Sequence, residues 1–71
     1  MKEIKIYTEY VTLGQFLKIA DIIQTGGEAK FYLSQNVIYV NGEVDNRRGR
    51  KLRTNDIVIV NKEEYKIVNE D

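Results

Sequence analysis

Seventy-one residues, 42% hydrophobic and 31% charged, have the composition of one small globular domain, too small for a deep cleft between subdomains. The absence of cysteine and histidine excludes disulfide staples, thiolate or imidazole zinc sites, Ser-His triads and cysteine nucleophiles. Eleven basic and eleven acidic residues cancel, so an electrostatic function has to come from where the charges stand, not from their sum.

Residues 3–7 alternate apolar and polar, with Ile4 and Ile6 on one side, and predict a short strand with one buried face. Thr12 followed three residues later by Gln15 is a capping box. The helix it opens carries Leu13, Phe16, Leu17 and Ala20 at helical spacing, continued by Ile23, which predicts about three turns facing the core. Thr25 with Glu28 repeats the capping box and puts Gly26 and Gly27 in the first helical positions. Each glycine there costs about 1 kcal/mol relative to alanine. The offset is either a tight turn between packed helices or the approach of an anion to bare backbone amides.

The second helix is expected to run to about Gln35, with Ala29, Tyr32 and Leu33 inward and Gly27, Lys30, Phe31 and Ser34 outward. Asn36 stands where a left-handed C-terminal residue is wanted. Phe31 is expected to pack beneath the N-terminal strand; the other use of a ring on that face is stacking on a base. Val37–Val40 reads as a strand, and Asn41-Gly42 as a type I′ hairpin turn into Glu43-Val44.

Asn46 to Arg53 then reads Asn-Arg-Arg-Gly-Arg-Lys-Leu-Arg and holds Arg47, Arg48, Arg50, Lys51 and Arg53, with Leu52 as its apolar anchor. Without those five cations the chain keeps six basic against eleven acidic residues, so it is a charge dipole. A patch dominated by arginine on an acidic body is the footprint of a polyanion, most often nucleic-acid phosphate. This loop is expected to project from a sheet edge close to the helix pair. Residues 53–56 form another turn, with Asn55 at positive φ. Ile57–Val60 is the most apolar strand and is expected to be central. Asn61 to Glu64 turn the chain, with Glu63 and Glu64 solvated, and Tyr65–Val68 closes the sheet beside the first strand. Asn69, Glu70 and Asp71 are expected to fray.

In order, these residues resemble the RNA-binding domain named after small-subunit ribosomal protein four, the S-four domain. Leu13 and Leu17 take its two leucine positions, Glu28-Ala29-Lys30 its helix signature, Val37 with Val40-Asn41-Gly42 its hairpin, and Asn55-Asp56 its Gly-Asp turn. Within the family the chain more closely resembles the stand-alone bacterial members, the YaaA and YbcJ group, through Thr25-Gly26-Gly27-Glu28-Ala29-Lys30 and Asn46-Arg47-Arg48-Gly49-Arg50-Lys51-Leu52. The family's first arginine is Thr12 here and its Ser-Arg pair is Thr25-Gly26, which moves the weight of phosphate contact onto Lys30 and the loop.

The resemblance implies an α+β fold, a two-helix αL motif packed on a small antiparallel, hairpin-rich sheet, spanning 1–71 as one domain with its core motif at about 12–60. It implies structured RNA, most often ribosomal, as partner and a role in ribosome assembly or translation. Gln15, Thr25, Gly26, Gly27, Lys30, Phe31, Arg47, Arg48, Arg50, Lys51 and Arg53 are the candidate RNA-binding residues. The competing class is a protein-interaction module whose basic loop docks an acidic partner, and within the binding class DNA stands beside RNA because phosphate contacts do not choose the sugar. No catalytic set, cofactor, metal or small-molecule substrate is expected. With no apolar run of membrane-spanning length, the expected compartment is the cytoplasm and the expected state a monomer.

Overall fold

The computed structural model describes residues 1–70; Asp71, expected to fray, lies outside the described residues. Strand β1 (Lys2–Ile6) is followed by β2 (Val11–Thr12) and helix α1 (Leu13–Ile19). A 3-10 turn (Gly26–Glu28) leads into α2 (Ala29–Gln35), then β3 (Ile38–Val40), β4 (Glu43–Val44), β5 (Lys51–Leu52), β6 (Ile57–Val60) and β7 (Glu63–Asn69). Among the described residues five strands form one sheet in the order β1-β7-β6-β3-β4, and β2 with β5 forms a separate two-stranded ladder.

The sheet is mixed, which corrects the expectation of an antiparallel one. β1 joins β7 parallel, with Ile4 opposite Ile67, while β7, β6, β3 and β4 pair antiparallel. The first and last strands thus lie side by side, and the parallel direction requires a crossover, which the helices and strands between them supply. Glu70 continues it, its N–H donating to the Ile6 carbonyl at 3.0 Å and its carboxylate 3.4 Å from Lys5 Nζ, so the tail is paired through Glu70. As expected, β6 is central.

Both helices lie on one face of the sheet. Leu13, Phe16 and Leu17 of α1 are fully buried and meet Ala29 and Leu33 of α2 over Ile38, Val40, Val58, Val60, Tyr65 and Ile67. The Phe16 and Tyr65 rings pack edge to face with centroids 5.3 Å apart, the arrangement their quadrupoles favour.

Helix α1 starts where the capping box predicts. Gln15 N–H donates to Thr12 Oγ1 at 3.2 Å, and Thr12 N–H donates to Gln15 Oε1 at 2.8 Å. It ends earlier than expected, after two turns. Asp21 takes a left-handed conformation with φ 62°, its N–H donating to Lys18 O and that of Ile22 to Leu17 O. That is a Schellman end with aspartate where glycine is usual. Ile23 is buried as predicted but reaches the core from the turn, not from the helix.

Asn36 is extended at φ −133°, not left-handed; it closes α2 with its side chain instead, Nδ2 donating to Tyr32 O at 2.9 Å. The Asn41-Gly42 turn has positive φ twice, 52° and 86°, and Asn55 has φ 75°, both as predicted. Asn61 and Lys62 form a second turn of the same hand, at φ 50° and 69°, so β7 begins at Glu63.

Candidate nucleic-acid interface

The basic loop is fastened to the start of α1. Leu13 N–H donates to the Arg50 carbonyl at 2.7 Å, and Gly14 N–H donates to the Arg48 carbonyl at 2.9 Å. The first amides of a helix have no partner within it; here the loop's backbone supplies them. Just beyond, β5 pairs with β2, Leu52 opposite Val11, and Leu52 is fully buried. The expected projecting loop is therefore a pinned one: backbone inward, most side chains outward.

Gly14 makes the close approach sterically feasible. A Cβ at that position would stand 2.8 Å from Arg48 Cγ, 3.4 Å from the Arg48 carbonyl and 3.5 Å from Ala29 Cβ. By contrast, a Cβ on Gly26 would meet nothing within 4 Å and one on Gly27 only Thr25 Oγ1 at 4.0 Å. Helix packing thus requires neither glycine of the pair, and their backbone stays open to solvent.

The five cations take three kinds of partner, and four of them, Arg47, Arg50, Lys51 and Arg53, also line one shallow groove with Gly49. Arg48 runs between the helices and lines two neighbouring grooves, one with Gln15, Lys18 and Gly26, the other with Lys30 and Ser34. Lys51 and Arg53 stand over the Tyr10 ring, at 4.9 Å and 5.4 Å from its centroid. Arg47 and Arg50 face Asp45. Of the candidates, Gln15, Gly26, Lys30 and Arg48 are brought together; Thr25, Gly27 and Phe31 lie outside these two grooves. Thr25 is engaged by Glu28, whose carboxylate accepts from Thr25 N at 3.0 Å and Thr25 Oγ1 at 3.2 Å. That places a negative charge at the start of the 3-10 turn. Phe31 is 71% exposed, so it does not pack beneath the N-terminal strand.

Asp45, directly before the basic run, went unmarked in the sequence. Its Oδ1 accepts from both the backbone N–H and Nε of Arg47 at 3.0 Å, and its Oδ2 accepts from Arg47 Nη2 at 2.7 Å. Arg50 Nε, buried and without a hydrogen bond, stands 3.6 Å from the same Oδ2. The Arg47 side-chain hydrogen bonds hold the Asp45 carboxyl down at about 2, below its ordinary 3.8, with the Arg47 backbone N–H and the charges of Arg47 and Arg50 acting in the same sense against partial burial. A carboxyl depressed on folding contributes stability above its unfolded pKa, and that stability fades as pH falls toward the folded value. The window is therefore about pH 4 down to 2. Because the Arg47 side of the pair is 69% exposed, the contribution is discounted to about 1 kcal/mol. Urea unfolding from pH 7 to 2 is expected to lose this increment in the wild type, and Asp45→Asn is expected to lack it at every pH. An unchanged pH profile in the variant would remove Asp45 as the organiser of this side of the loop.

Lys18, Gly14 and Tyr10 were also missed. A lysine on the outer face of α1, in line with Gln15, was the available signal for the first. A glycine in the first turn of a helix, unfavourable by propensity, was the signal for the second. Tyr10 carried none, because only the pairing of β2 with β5 brings it under Lys51 and Arg53.

Among the described residues no three His, Cys, Asp or Glu side chains stand together as a metal site, and no helix is long and apolar enough to cross a membrane.

The molecule is a small α+β domain with two helices on one face of a mixed sheet and a basic loop tied to the first helix. The model of the S4 (S-four) domain matches residues 4–68, and the chain belongs to that family. A Bacillus subtilis (strain 168) protein described as a probable ribosome maturation protein, RlbA, is 62% identical to it over 55 residues, which cover 78% of each chain.

Proposed function

We propose that this chain is a small cytoplasmic RNA-binding protein, acting as a monomer and as a single domain over 1–71, that grips structured ribosomal RNA during ribosome assembly or translation. Its role is binding, not catalysis. The observation that carries the reading is the pair of backbone hydrogen bonds from Leu13 and Gly14 to the loop, which hold Arg48 between the two helices next to Lys18 and Lys30. Cations held on a pinned backbone lose less freedom on meeting phosphate than cations on a free loop. The αL motif implied by the family is here the pair α1 and α2 with Arg48 between them. Arg48, Lys30 and Lys18 take phosphates in the groove, with Gln15 and Gly26 at its wall; Arg47, Arg50, Lys51 and Arg53 extend the contact across the loop. Gly27 offers open backbone, Thr25 steadies the turn beneath it, and Phe31 presents an exposed ring at the margin for stacking on a base. A-form RNA is read largely through shape, phosphate and 2′-hydroxyl, so a rigid scaffold with few base contacts suffices. The relative named for ribosome maturation supports the choice of ribosomal RNA.

The test is a salt titration of binding to ribosomal RNA fragments and to duplex DNA of equal length. About four to six phosphate contacts are expected, so log affinity falls by roughly 3–5 per decade of salt, with RNA held more tightly. Equal weak binding to both, or co-purification of an acidic protein that survives nuclease, would overturn the reading.

A further inference from the structure

Next to the first Arg48 groove, across the ridge of Gln15 and Lys18, Tyr10, Val11 and Ile19 line a mainly apolar groove edged by Gln15, Lys18 and Glu9. Tyr10 is 37% exposed and Ile19 50% exposed. The wall that carries Tyr10 is fastened in two places: Thr8 Oγ1 donates to Tyr10 O at 2.8 Å, and Asn69 Nδ2 donates to Thr8 O at 2.9 Å. Lys51 and Arg53 stand over the Tyr10 ring, so an aromatic surface and two cations share one spot. Gln15 and Lys18 line both this groove and the first Arg48 groove. The capping bond at Gln15 Oε1 settles which way its amide points, leaving Nε2 as a donor at the junction.

We propose that this groove receives one unpaired nucleobase extruded from the RNA whose phosphates lie in the Arg48 grooves. The inference rests on the RNA-binding reading and adds a second contact of different chemistry. The base stacks beside Tyr10 against Val11 and Ile19, Gln15 Nε2 donates to a carbonyl or ring-nitrogen acceptor on it, and Lys18, Lys51 and Arg53 take the flanking phosphates. Three cations against the single carboxylate of Glu9 favour an anionic strand over an apolar or acidic peptide. Stacking on an aromatic side chain strengthens single-strand binding by roughly 5- to 150-fold per base. The chain is thereby expected to prefer a helix with a bulge or internal loop over a fully paired one.

The experiment uses the full chain and two RNA hairpins of equal length, one fully paired and one with a single bulged 2-aminopurine. The expected result is tighter binding of the bulged hairpin by roughly 5-fold or more, with quenching of the 2-aminopurine on binding. Tyr10→Ala should abolish both the preference and the quenching while leaving affinity for the paired hairpin and its salt slope within about twofold. Equal affinity for the two hairpins, or quenching that survives Tyr10→Ala, would overturn the proposal while steep salt-dependent binding of both kept the RNA-binding reading intact. Failure of either hairpin to bind would defeat both. Circular dichroism of Tyr10→Ala, with Tyr10→Leu as a second variant that keeps the apolar wall, separates lost stacking from lost folding; a Tyr10→Leu protein as discriminating as the wild type would also count against a stacked base.

Discussion

Leu52→Ala is expected to lower the unfolding free energy by about 2–5 kcal/mol, the usual cost of emptying a fully buried leucine site. Leu52 has no exposed surface and is the apolar anchor of the loop, joined to β2 opposite Val11. A chain of 71 residues has roughly 4–10 kcal/mol in total, so the change removes a large share of it. The damage is also directional. With the side chain gone, the β2–β5 ladder and the carbonyls that Arg48 and Arg50 offer to α1 are the first contacts released. Urea unfolding is the measurement, with Leu52→Val as a milder companion expected to lose about 1 kcal/mol and keep the fold. A loss under about 1 kcal/mol in Leu52→Ala would mean that the loop is not anchored through this side chain.

Replacing Arg47, Arg48 and Arg50 together by alanine is expected to weaken RNA binding about 10²-fold near 0.1 M salt and to flatten the salt slope by about 2–3. The single variants should not be equal. Among the described residues no acid pairs with Arg48, which stands between the helices, while the Arg47 fork is held by Asp45 at 2.7 Å and 3.0 Å. Before Arg47 can offer the same two-pronged contact to a phosphate it has to leave a carboxylate of matching geometry. Arg48→Ala is therefore expected to cost about one unit of slope and Arg47→Ala less. Arg47→Ala should instead show in stability, because it leaves Asp45 half-buried with only Arg50 nearby, at 3.6 Å. Fluorescence anisotropy across a salt series, alongside urea melts, measures both. A triple variant with unchanged affinity and slope would remove the loop from the interface.

Belonging to the S4 domain family makes the division of the loop's cations informative. In a protein with no net charge, phosphate binding depends on local placement, and the fold obtains it by turning the loop backbone toward a helix start. Gly14 is the residue that permits this, since any side chain there would press on Arg48. The same glycine sits in a helix where propensity disfavours it.

The features that could be read without the fold are those whose physical cause is local. Thr12 and Gln15 satisfy each other's backbone across one turn, Asn41-Gly42 and Asn55 adopt positive φ because those residue types permit it, the alternation in β1 marks a buried face, and the unbroken apolar run of β6 marks a central strand. Leu52 was legible as an anchor because it is the lone apolar residue in a cationic run. The concentration of five cations in that run, and with it the polyanion reading, is likewise a property of the sequence by itself. What only the tertiary structure decided depends on contacts between residues far apart in the chain. The parallel direction of β1, the exposure of Phe31, the placing of Tyr10 under Lys51 and Arg53, and the capture of the loop by Leu13 and Gly14 are all of this kind. A backbone amide at a helix start advertises only that it needs an acceptor. Which carbonyl arrives is set by how the sheet and the two helices pack, and that packing directs Arg48 between the helices and Lys51 and Arg53 onto the Tyr10 ring.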